Sequence, residues 1–220
     1  MSLEAIVDND VLIKAACYTL LVDLSETVTA RGTVAVLGAA RFVVGSRLNR
    51  HPDLRNRTEA VAHWAAFRLT AEELEPTDHE LSLSTSIEEA AMKEGVAVDS
   101  GESLLCAIAI GRSVPRLLTG DKRAIQAAEA LLARIPPLTQ LANRFVCLEQ
   151  AMAAVSTRIG GNAVRSKICA EPDIDKALSI CFECTRTTVA SDFYPFGLHS
   201  YIEHLRTSAK RLLSTGPAQP

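Results

Sequence analysis

The sequence predicts an α/β fold: a central parallel sheet flanked by helices, with an all-helical extension at the C-terminal end. Three observations carry this. Short apolar runs at 4–7, 116–119 and 144–148 alternate with stretches of helical periodicity, the pattern of βα units. Acids stand where strand passes into helix, at Asp8 and Asp121. Beyond Gly160-Gly161 the periodicity is helical only, with breaks at Pro172 and Pro195. The chain divides there into an α/β domain, 1–159, and a helical extension, 160–220.

Taken in order, the first strand, 4–7, enters Asp8-Asn9-Asp10, and a helix is expected over 11–22. Asp8 ends the strand and so falls on the carboxyl rim of the sheet. Asp10 holds the position of a helix N-cap, which leaves Asp8 as the better functional acid. Residues 33–48 begin as a strand and turn helical. A helix over 58–69 carries the only tryptophan, Trp64, toward the core. Residues 70–84 are acidic and polar and read as a connection; 86–94 is a short helix closed by Gly95. Asp99 and Ser100 then sit where an N-cap belongs, placing Glu102 in the first turn of a nearly all-apolar, buried helix. The strand 116–119 leads to Asp121 and a helix running to about residue 134. One more strand, 144–148, precedes a helix over 149–158. The extension holds helices over 162–169, 173–186 and 196–213, with an apolar stripe expected to pack on the α/β body or on a second copy of the chain.

Composition sets the outer limits. The 220 residues are 48% hydrophobic and 22% charged, ordinary values for a globular chain. A net charge of -3 gives no global basic field. The densest basic stretch is local: Arg47, Arg50, Arg55 and Arg57, read as a solvated loop and helix end or as phosphate contacts. Lys122 and Arg123, beside Asp121, are further candidates for such contacts. No run approaches the ~18 apolar residues of a membrane span. Nor is there a basic-then-apolar export signal at the start. The six scattered cysteines therefore read as reduced, buried thiols in a cytoplasm. Cys181-Phe182-Glu183-Cys184, even with Cys147, Cys169, His199 and His204, is a poor match to a zinc site, since only one pair has ligand spacing.

Asp8, Glu102 and Asp121 come from separate segments and converge on one rim in this arrangement, where open α/β sheets bind ligands. Each acid alone is also explained by helix dipoles. Crowded carboxylates repel, and a divalent cation removes the repulsion. All-oxygen sites suit magnesium or manganese, which activate water and stabilise phosphoryl oxygens.

Ile6-Val7-Asp8-Asn9-Asp10-Val11-Leu12-Ile13 resembles the opening strand and acid of PIN-domain proteins. Asp99-Ser100-Gly101-Glu102, an apolar helix, and Leu117-Leu118-Thr119-Gly120-Asp121 resemble their later acid motifs. The resemblance covers about residues 1–149. It implies a central parallel sheet and a magnesium-dependent ribonuclease, with Asp8, Glu102 and Asp121 as catalytic, metal-binding acids and RNA or other nucleic acid as the partner. A further acid expected after the first helix is missing from 33–48; Glu59 is the nearest later acid. That departure leaves open a weak metal site, a borrowed acid, or a degenerate, non-catalytic binding or regulatory subunit. A haloacid-dehalogenase-like phosphatase is the other alternative. Asp8-Asn9-Asp10 has its paired-aspartate spacing, although Leu12 departs from its pattern, and a trapped phosphoenzyme would be its mark.

Overall fold

A computed structural model of the chain describes residues 2–190 and 192–216. The parts of the expected domain and extension at 1, 191 and 217–220 lie outside them. Five parallel strands form one sheet: β1 (Leu3–Val7), β2 (Thr33–Leu37), β3 (Glu72–Leu74), β4 (Arg116–Thr119) and β5 (Phe145–Cys147), in the order β3-β2-β1-β4-β5. The central strands are apolar where helices cover both faces, so Ala5, Ile6, Val7, Leu117 and Leu118 are all buried.

The β1–β2 link holds α1 (Asn9–Cys17) and α2 (Leu21–Val28); the β2–β3 link holds α3 (Ala40–Arg50) and α4 (Arg57–Arg68). Crossovers of this kind are right-handed, which puts these four helices on one face. In agreement, α1 packs against α2, α3 and α4. The return from β3 to β4 crosses to the other face through α5 (Asp78–Glu94) and α6 (Ser100–Gly111). α7 (Lys122–Ala130) links β4 to β5, and α8 (Leu148–Ile159) follows β5. Among the described residues no helix is long and apolar enough to cross a membrane.

Several elements differ from expectation. The helix expected over 11–22 is two helices. Thr19 adopts φ +54, and the amide of Leu20 donates to the carbonyl of Ala15 at 2.8 Å, the six-residue closure that terminates a helix. The apolar spacing continues across the break because Leu20, Leu21 and Leu24 are buried in their turn. The connection expected over 70–84 contains β3 and the first half of α5. β3 buries only Leu74 and exposes two glutamates, as a short, charged edge strand does. α5 starts early because Thr77 and Glu80 form a reciprocal capping box.

The extension holds α9 (Gly161–Ala170), α10 (Lys176–Cys181) and α11 (Gly197–Ser208). It is not all helical. Residues 211–214 run beside β5: the amide of Phe145 donates to Leu212 and its carbonyl accepts from Ser214, giving a parallel bridge Phe145–Leu213 that covers the sheet edge. α10 is far shorter than 173–186. Arg165 donates to the carbonyls of Phe182, Glu183 and Arg186, holding them away from a continued helix. Cys169 and Cys184 form a disulfide, which corrects the expectation of six reduced thiols; Cys17, Cys106, Cys147 and Cys181 are free and buried. Of the two surfaces expected to receive the extension's apolar stripe, the α/β body is one that does. Val164, Ile168, Leu178, Leu205, Leu212 and Leu213 are fully buried or nearly so in the same core as the sheet.

Candidate active site

β1 is followed by β2 on one side and has β4 on the other, so the strand order reverses between β1 and β4. The crevice at the carboxyl ends of those two strands is where open α/β sheets take their ligands. Asp8 stands there: its amide donates to Leu118 of β4 at 2.9 Å. Its side chain accepts from the amide of Asn9 at 2.7 Å, which makes Asp8, and not Asp10, the N-cap of α1. Asp10 instead pairs with Lys14 at 2.8 Å and lies against Gly120. A Cβ on residue 120 would come within 2.0 Å of an Asp10 carboxylate oxygen, so a larger residue there would have to turn that carboxylate aside.

Glu102 is held by the start of α6. Asp99 accepts from the amide of Glu102 at 2.8 Å, and Glu102 accepts from the amide of Asp99 at 2.9 Å. This reciprocal box fixes the side chain in the first turn. α6 is pinned to α5 at both ends: Ser103 bonds Ser84 and Glu88 at 2.8 and 2.7 Å, and Arg112 bonds Glu80 at 2.8 Å. Ile87, Val98, Leu105 and Leu117 line a small apolar pocket with Glu102. That burial, followed by the charges of Asp99, Asp121 and Asp8, raises the Glu102 carboxyl to about 7 against the hydrogen bond from Asp99. Burial likewise raises Asp8 to about 6, with Asp10 and Asp99 adding to the shift.

Asp121 behaves differently. It caps α7, and its amide donates to the Thr119 hydroxyl at 3.1 Å. Burial pushes its carboxyl up. The hydrogen bonds and charge of Arg123 outweigh that push and hold it below the usual range. The guanidinium reaches both oxygens, at 3.3 and 3.0 Å, while remaining 81% exposed. Asp99, Glu102, Asp121 and Arg123 line an open cleft of about 380 Å³ together with Glu88, Met92 and Val98, and Asp8 is not part of its lining.

No protein-family model, curated protein or solved structure matches the chain. The site is therefore read from its own chemistry. Its carboxylates suit a hard divalent cation. Their placement does not: among the described residues no group of three or more carboxylate, imidazole or thiol side chains is set to hold a metal ion. Arg123 occupies Asp121, and the capping box occupies one oxygen of Glu102. A cation would have to displace the first of these.

The basic candidates are distributed. Arg47 and Arg50 are exposed on the last turns of α3. Arg55 pairs with Asp173 of the extension at 2.8 Å, and Arg57 donates to the carbonyl of His51. Lys122 is turned into the fold, where it pairs with buried Glu149 and lies 5.0 Å from the ring of Tyr201. Arg123 faces Asp121 rather than open solvent alone. Three acids near the site did not stand out in the sequence. Asp99 and Asp10 were explained by capping. Glu88 fell in an apparently ordinary helix, although Ser84 one turn earlier on the buried side of α5 marks a polar strip aimed at Ser103.

Proposed function

We propose that this protein is a PIN-like hydrolase of phosphodiester bonds acting on RNA at the β1–β4 crevice. The observation that supports this most is the pair of carboxyls raised toward neutrality, Asp8 to about 6 and Glu102 to about 7, beside further acids at the sheet's switch point. Groups with such values exchange protons efficiently near neutral pH. Asp8, ionised at pH 7, takes the proton of the attacking water; Glu102, half protonated, returns one to the leaving oxygen. Magnesium or manganese remains the cation these acids would take if Arg123 released Asp121, and it would supply charge stabilisation for the phosphate. We propose a cytoplasmic location on the four free, buried thiols, and the Cys169–Cys184 disulfide is the feature that stands against it.

One specific observation favours the second reading, a non-catalytic binding or regulatory subunit: the arginine closed over Asp121. The two separate in one assay. Single-stranded RNA is incubated with wild type, Asp8→Asn and Glu102→Gln, each with and without manganese. Cleavage by wild type that falls at least about 100-fold in both variants is the expected result, the low end for an acid–base contribution. RNA binding without cleavage in any form would establish the binding subunit instead.

A further inference from the structure

We infer that the outer face of α3 is a binding platform for single-stranded nucleic acid, with Phe42 as the base-stacking residue and Arg47 and Arg50 as the phosphate contacts. The inference rests on the hydrolase reading above and names the form of its substrate. α3 begins three residues after β2 ends, so its first turn lies on the same carboxyl rim as Asp8, and the helix packs on α1, which Asp8 caps. Phe42, in that first turn, is 66% exposed, which leaves most of its ring open to a ligand. Arg41 places its guanidinium 4.6 Å from the ring centroid and also pairs with Glu73 at 3.8 Å. An arginine–phenylalanine stack of this kind presents a flat surface that another planar group extends.

Charge selects the occupant. Between Ala40 and Arg68 there are six arginines and two acids; Arg41 and Arg68 pair with Glu73 and Arg55 with Asp173, so the charge left for a ligand rests mainly on Arg47 and Arg50. Arg47 and Arg50 are exposed and, among the described residues, pair with no carboxylate. They follow Phe42 by five and eight residues, about 8 and 12 Å along the axis at 1.5 Å per residue. A ring to stack on, followed by a row of uncompensated cations leading away from the crevice, fits a flexible polyanion with unpaired bases. A duplex hides its base faces and would gain only the arginines.

The test uses the full-length protein, a labelled 12-nucleotide oligouridine and chelator, so that nothing is cleaved. Binding is followed by anisotropy over a salt series for wild type, Phe42→Ala and the double variant Arg47→Ala/Arg50→Ala. Phe42→Ala should weaken binding roughly 5- to 100-fold, the worth of one stacked base. The arginine pair should flatten the log–log salt slope by about 1.4, or 0.7 for each lost contact to a single strand. Oligouridine binding unaffected by Phe42→Ala, or equal binding of a duplex of the same length, overturns the platform. So does a wild type that ignores oligouridine, which would give the face to a protein partner. Platform behaviour together with absent cleavage in every form would overturn the hydrolase reading and leave this one standing.

Discussion

Replacing Asp8 by asparagine should stabilise the protein, and the gain should grow with pH. The carboxyl is raised from 3.8 to about 6, first by burial and then by the neighbouring acids. In the unfolded chain it loses its proton near 3.8; in the folded chain it keeps it until about 6. Between those values the folded state binds more protons, so stability falls as pH rises. The penalty is absent below about pH 3.8 and complete above about pH 6. Two-state linkage with these values gives roughly 1 kcal/mol at pH 4.5 and roughly 3 kcal/mol at pH 7.5. Asparagine removes the charge but keeps the oxygen that accepts from Asn9, and it is as good an N-cap. Urea unfolding of wild type and Asp8→Asn at the two pH values measures the difference directly. For a chain of this size the gain at pH 7.5 corresponds to about 6–12 °C in melting temperature. A variant less stable than wild type at pH 7.5, or a gain that does not change with pH, would show that Asp8 is not a buried, repelled carboxylate.

Other consequences follow from the same contacts. Glu102→Gln keeps the capping-box geometry while removing a half-buried charge. It should stabilise by about 1–2 kcal/mol at pH 8, after allowance for solvent screening, and by nothing at pH 4, as checked by unfolding at both. Arg123→Gln frees Asp121 and should tighten manganese binding, read by calorimetry; unchanged affinity would mean that Asp121 is no part of a cation site. Reducing Cys169–Cys184, which closes a 15-residue separation, should cost about 3 kcal/mol, seen as a lower urea midpoint with reductant. Truncation after Gly160 removes side chains buried in the common core at about 1.5–3 kcal/mol each, so the shortened chain should give no cooperative unfolding transition.

The central parallel sheet and its acids were legible because they depend on local signals. The apolar runs of β1, β4 and β5 are short and uninterrupted, capping acids follow β1 and β4, and Asp99 caps the helix that carries Glu102, so Asp8, Glu102 and Asp121 could be put on one rim. What escaped notice depends on tertiary context. β3 has one buried residue and no alternation to read. The break at Thr19 is made by a backbone turn in a residue that carries no glycine-like signature. The end of α10 is set by Arg165, more than ten residues upstream, and the pairing of 211–214 with β5 by the core it completes. At the site itself, spacing put the acids together but could not reveal which of them would be neutralised. Arg123 follows Asp121 by two residues and reads from sequence as a candidate phosphate contact; the turn into α7 brings it back onto the carboxylate.

The proposed function requires Asp8, Glu102 and Asp121 to serve one site. A crystal structure of the protein grown with manganese, with the ion located by its anomalous signal, tests it most directly. One ion between these three side chains, with Arg123 rotated away from Asp121, is the result expected. Crystals that bind no manganese in the β1–β4 crevice, with Arg123 still closed on Asp121, would contradict the claim and leave the acids as helix caps.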